Sequence, residues 1–147
     1  MPHTELILIG IGSCIVFDVW QRLFQIFTSI PPSNWTLVGR WFIGLMSNGQ
    51  LIASQLSQQP EAKHETPTGW VVHYVVGVAY AYVLFILVQE PTITYGLVFG
   101  VVSVLIPWLF LMPAMGNGIM ASKTPNPKVA CALALMMHSL FGLSLGV

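Results

Sequence analysis

The chain has 147 residues, 55% of them hydrophobic and only 7% charged, with five basic and five acidic side chains and a net charge of zero. An ordinary soluble domain is about a quarter charged, so with a mean hydropathy of +0.77 this chain is too apolar to fold as a small water-soluble globule. The neutral balance excludes the basic footprint of a nucleic-acid binder, and the length allows one integral membrane domain, 1–147, with room for about four spans of about 20 residues each.

The first apolar segment runs from about residue 6 to 27 and contains Asp18, Gln21, Arg22 and Gln25 at i, i+3, i+4, i+7, one stripe on a helix. A charge in an apolar span is expensive and marks a functional candidate by default. Ile11-Gly-Ser-Cys14 looks faintly like a lipoprotein cleavage box, but no Lys or Arg precedes it and the apolar run is short, so the segment reads as a retained span. Ile30-Pro31-Pro32-Ser33 ends it. Over residues 34–56, Val38, Trp41, Phe42, Leu45 and Met46 recur at helical spacing, which predicts an amphipathic helix at the membrane interface, with Trp35 and Trp41 suited to that depth. Residues 57–65 read as a polar loop in which His64 is solvated.

The second span is expected over about 69–88, with Thr66-Pro67 as cap and first-turn proline and with His73 inside it. The third is expected over 92–112, interrupted by Pro107, and the fourth over 127–147, capped by Asn126-Pro127 and carrying His138. Between them lies Met115-Gly116-Asn117-Gly118, a turn whose N–H groups are able to hold an anion, although no Walker-type pattern follows and a plain turn is the simpler reading. All five basic residues fall on two loops or their edges: Arg22, at the edge, with Arg40 and Lys63 on the first side, and Lys123 and Lys128 between the third and fourth segments. The positive-inside rule then puts those loops in the cytoplasm and both termini outside.

Gly96-x-x-x-Gly100 and Gly142-x-x-x-Gly146 are helix-packing motifs that also offer faces for a homo-oligomer. His73-Tyr-Val-Val-Gly77 and His138-Ser-Leu-Phe-Gly142 echo each other, but the match is short enough for chance to account for it. Cys14 and Cys131 form no CxxC pair, and their positions on the spans put them roughly 13 Å apart in depth, beyond disulfide reach, so thiol-oxidase chemistry is not indicated.

Counting helical rise from the cytoplasmic ends puts Asp18 and His138 roughly 14 to 17 Å deep and Arg22 and His73 roughly 6 to 8 Å deep. The expected pairs are therefore Asp18 with His138 and Arg22 with His73. Three readings of this cluster stand open. The residues serve helix packing, with Asp18 paired to Arg22 at i,i+4; or Asp18 and His138 form a proton relay or ion site; or His73, His138 and Asp18 ligate a metal. No nucleophile–base pair or metalloprotease motif points to an enzyme, and no cofactor is indicated.

Several stretches resemble one family: Asp18-Val-Trp20, the Asn34-Trp35 to Arg40-Trp41 run, Gly69-Trp-Val-Val-His-Tyr74, Met115-Gly116-Asn117-Gly118-Ile-Met-Ala-Ser122, Thr124-Pro-Asn126-Pro127 and His138-Ser-Leu-Phe-Gly142. The chain is similar over nearly its whole length to the small bacterial membrane-protein family catalogued as domain of unknown function 2938. The resemblance implies a multi-pass protein of the bacterial inner membrane and brings no activity with it.

The expectation is an all-α bundle of four transmembrane helices with an added interfacial helix. Its partners would be the lipid bilayer and a small solute or ion bound or passed through Asp18, Arg22, His73 and His138. The alternative is a non-catalytic scaffold or complex subunit.

Overall fold

Each apolar run is a helix, and each ends for a local reason. A computed structural model describes all residues, Met1–Val147, as all-α. The helices are α1 (His3–Thr28), α2 (Trp35–Asn48), α3 (Glu65–Val88), α4 (Ile93–Ala114) and α5 (Pro127–Leu145). All but α2 are long and apolar enough to cross a membrane, as expected.

α1 stops where Ser29 turns left-handed (φ 60) and returns its N–H to Gln25 C=O at 2.8 Å. α2 is capped by Asn34, whose side chain accepts the Leu37 N–H at 3.2 Å. It ends at Asn48, eight residues before the expected 56. The cause is Gly49 (φ 70), whose N–H donates to Leu45 C=O at 3.0 Å, the 5→1 bond of an αL stop. α3 begins at Glu65, so Thr66 lies within the first turn and is not the cap. Pro67 is tolerated there because the first helical N–H groups have no intrahelical acceptor. In α4 the chain widens into a π turn over Pro107–Leu111, with Met112 N–H reaching Pro107 C=O five residues back. This is how the helix absorbs a proline that has no N–H to give.

The chain divides into two compact units. The first comprises Met1–Ser33, His73–Val102 and Met136–Val147. Here α1 meets α3, and α4 meets α5, backbone against backbone. A Cβ on Gly10 would lie 2.6 Å from Val78 Cα and 3.0 Å from Gly77 C=O, and one on Gly77 would strike the Cys14 thiol. Likewise a Cβ on Gly96 would strike Gly142 C=O, and one on Gly142 would strike Gly96 C=O. The two GxxxG motifs thus pack on each other inside one chain, and a homo-oligomer contact through them would have to displace that packing. The outward faces are apolar: Ile26, Phe27, Ile86 and Leu87 are at least 70% exposed, a surface suited to lipid.

The second unit comprises Asn34–Val72 and Ser103–Leu135. α2 lies on the start of α3 with no side chain between them, since a Cβ on Gly39 would strike Glu65 C=O and one on Gly69 would strike Trp35 C=O. Its core is Trp41, Ala53, Leu56 and Ala114, closed by Ala53 N–H donating to Ala114 C=O at 2.7 Å. Trp41 also meets the Phe110 ring edge-on at 6.2 Å and donates its indole N–H to Leu51 C=O at 2.9 Å. The segment after α2 is therefore an ordered, packed loop.

Candidate functional site

In the first unit, Asp18 is half-buried on α1 and faces α3. Its Oδ1 lies 3.2 Å from His73 Nε2, an ion-pair distance when the imidazole is protonated, and its Oδ2 accepts the Tyr74 hydroxyl at 3.2 Å. The His73 side chain is only 9% exposed. An unpaired aspartate at the centre of a span costs about 2.5–3.5 kcal/mol on insertion scales. A hydrogen bond to a charged group contributes about 1.5–3 kcal/mol; the Tyr74 hydroxyl supplies one, and a protonated His73 ring would add an ion pair. The backbone next to the pair is held as well, because the Cys14 thiol, fully buried against Gly77, donates to His73 C=O at 3.9 Å.

The partners differ from those expected. Depth counting paired Asp18 with His138 and Arg22 with His73, whereas Asp18 meets His73. Arg22 is exposed, pointing away from the buried face of α1. The α1 stripe itself holds in part: Gln21 is buried, and its side-chain oxygen accepts the Ser33 N–H at 2.6 Å, tying the proline turn to the helix. Depth counting failed because α3 begins at Glu65, four residues before the assumed 69, which puts His73 eight residues into the helix and closer to the level of Asp18. His138 is half-buried on α5, its ring 6.3 Å from that of Tyr80. No three His, Cys, Asp or Glu side chains converge where a metal ion could sit, so the set His73, His138 and Asp18 does not form a metal centre. Both cysteines are free.

The second unit holds the other ion pair. Arg40 presents Nε and Nη2 to the two carboxylate oxygens of Glu65 at 2.7 and 2.8 Å, a bidentate fork. Its Nη1 donates to Leu56 C=O at 3.3 Å and to Gln59 C=O at 2.9 Å, and Glu65 also accepts the Ala62 N–H at 2.9 Å. The Glu65 hydrogen bond holds the Arg40 guanidinium above its ordinary pKa, against the burial that pulls it down. Four of the five guanidinium N–H groups are spent on Glu65 and on the loop carbonyls, so the pair binds the loop to α2 and α3.

The remaining motif residues are structural. Asn34 caps α2, Trp35 packs 6.2 Å from Trp70, Trp41 anchors the second core, and Asn126 C=O accepts the Ala130 N–H at 3.1 Å as α5 begins. Gly116 (φ 83) and Gly118 (φ 76) take backbone angles that favour glycine. The Gly116 and Asn117 N–H groups point inward to Pro113 and Met112 C=O at 2.9 and 2.8 Å, so the turn is not an anion cradle.

Two participants escaped the sequence reading. Glu65 was assigned to a solvated loop, yet an arginine beside Trp41 on an apolar helix needs a carboxylate, and Glu61 and Glu65 are the acids of the adjoining loop. Tyr74 appeared only as a motif letter, although its place directly after His73 was the available signal. A cavity of about 60 Å³ in the first unit, lined by Leu6, Ile9, Ala81, Leu84 and Leu145 among others, has no titratable side chain in its wall.

Residues 7–147 match the family described as protein of unknown function, DUF2938. The chain belongs to that family. No curated protein and no solved structure matches it.

The Arg40–Glu65 pair gives a direct test of the second unit. Arg40→Ala and Glu65→Gln each lower the thermal unfolding temperature of the detergent-solubilised protein well beyond the effect of Glu61→Gln. Removing one partner strands a buried charge, while a double Met variant regains much of the loss. Equal melting of Arg40→Ala and Glu61→Gln would show that the pair carries no structure.

Proposed function

We propose that this chain is a multi-pass protein of the bacterial inner membrane that binds and passes a small ion at Asp18, His73 and Tyr74. The observation that carries the reading is the Asp18 carboxylate held 3.2 Å from His73 within an apolar helix. A packing contact needs no ionisable pair at that depth, and such groups in membrane helices otherwise mark ion paths and relays. Histidine supports it further, because its ring nitrogens are able both to take up and to hand on a proton.

A second reading keeps one specific support. Both oxygens of Asp18 are already engaged, by His73 and by Tyr74. A satisfied pair of this kind also serves a scaffold or complex subunit, where it fixes which faces of α1 and α3 meet.

For orientation, all five basic residues lie in the last two turns of α1, between α1 and α3, between α4 and α5, or in the first turn of α5. This supports cytoplasmic loops and outward-facing termini. The interfacial position of α2 is supported by its tryptophans and by its exposed Met46. Alkaline phosphatase fused after Val147 is expected to be active and fused after Lys63 inactive; the reverse pattern would invert the topology.

Asp18→Asn and His73→Gln keep size while removing charge. Both variants are expected to accumulate and purify like the parent, yet to lose ion flux in vesicles. Undiminished flux in Asp18→Asn sinks the ion reading, and failure of both variants to accumulate favours the scaffold.

A further inference from the structure

The two helix pairs of the first unit make the same contact. Gly10 and Gly77 abut each other's carbonyls, as do Gly96 and Gly142. In each pair a histidine lies four residues before the α3 or α5 glycine: His73 before Gly77, His138 before Gly142. The short echo between the two halves therefore corresponds to one repeated packing unit, and the two histidines hold equivalent places in it. Val104 stands where the repeat would put a second Asp18, since Asp18 follows Gly10 by eight residues and Val104 follows Gly96 by eight. The repeat thus has two histidines and one carboxylate.

Between these histidines runs a series of rings. Phe17 lies 5.6 Å from His73 and meets Phe141 edge-on at 6.4 Å; Phe141 lies 5.9 Å from Tyr80, which lies 6.3 Å from His138. Phe17 and Phe141 are buried, at 8% and 6% exposure. His73 and Tyr80 are seven residues apart on α3, roughly 10 Å along the axis. On α1, beyond Phe17 from Asp18, the Ser13 hydroxyl is buried (2% exposed) with no hydrogen-bond partner. A buried hydroxyl left without a partner is costly and calls for an explanation.

We propose that the species passed by this site is a bare proton, moving between Asp18–His73 and a second station of Ser13, Tyr80 and His138 across the Phe17–Phe141 contact. This rests on the ion reading of Asp18 and His73. A metal cation stripped of water needs many oxygen ligands, six or so for the harder ions, whereas Asp18 supplies two oxygens, both engaged, and Tyr74 one hydroxyl. A proton needs a single lone pair. It binds the neutral His73 ring, whose imidazolium the Asp18 carboxylate stabilises. It leaves when Phe17 and Phe141 part enough to admit a water, and the His138 imidazole takes it. Only N–H and O–H bonds form and break, and no electron moves. The aromatic contact keeps the two stations from joining in a standing water wire.

The test uses the full chain in vesicles of phosphatidylethanolamine and phosphatidylglycerol, with a trapped pH dye and a potassium diffusion potential. The parent protein is expected to acidify the lumen and to take up neither rubidium nor sodium. Tyr80→Phe, which removes only a hydroxyl, and His138→Gln are each expected to slow proton flux by roughly tenfold or more, about 1.4 kcal/mol on the barrier. In both variants the ¹⁵N signals of the His73 ring stay unchanged. Phe141→Leu is expected to raise the flux. Rubidium or sodium uptake matching the proton flux overturns the proposal, as does parental proton flux in both Tyr80→Phe and His138→Gln. Either result leaves the Asp18 site standing, because only undiminished flux in Asp18→Asn removes that.

Discussion

The contact on which the rest depends is made by atoms that have no side chain. Gly10 and Gly77 let the backbones of α1 and α3 touch, and the Cys14 thiol fills the space that a Cβ at Gly77 would need. Helices separated by ordinary side chains stand about 8–10 Å apart, too far for a short aspartate to span comfortably. With the axes drawn together, Asp18 reaches His73 and Tyr74 across the interface. Lipid gives no hydrophobic force between helices, so packing of this closeness and polar contacts across it supply the association. α4 and α5 repeat the arrangement through Gly96 and Gly142 without a carboxylate.

The two ion pairs of the chain are built differently, and the difference separates structure from function. Arg40 and Glu65 are tied on several sides: the guanidinium gives to two carboxylate oxygens and two backbone carbonyls, and the carboxylate takes a further backbone N–H. The consequence is a fixed loop between α2 and α3. The Asp18 pair has an imidazole opposite the carboxylate at 3.2 Å and one hydroxyl bond from Tyr74. One pair is a clasp, while the other carries the proposed ion site.

Much of this architecture was legible in the residues. Four apolar runs bounded by Pro31, Pro67, Pro91 and Pro127 give four membrane-length helices, because backbone groups in lipid must be satisfied within the helix. The start of α5 at Pro127 could be read from capping chemistry, whereas the same chemistry at Thr66-Pro67 missed the start of α3 at Glu65. The early stop of α2 could not, since an Asn-Gly pair inside a polar stretch is compatible with either a stop or a longer helix. The partners of the polar side chains lay further from reach. Local spacing offered Arg22 to Asp18 at i,i+4, but the rotation of α1 is set by which face carries Gly10 and Cys14, and that face turns Arg22 outward. The two GxxxG motifs were visible as motifs, while their choice of each other is a tertiary fact that no single helix states. Arg40 and Glu65 are twenty-five residues apart in sequence and meet only because Gly39 and Gly69 let α2 lie directly on α3.

The central claim is that Asp18 and His73 form one paired unit between α1 and α3. Solid-state NMR on the full chain in lipid, with labelled histidine and aspartate, addresses it most directly. The account predicts a strong dipolar coupling between the Asp18 carboxyl carbon and His73 Nε2. Absence of the coupling would contradict it.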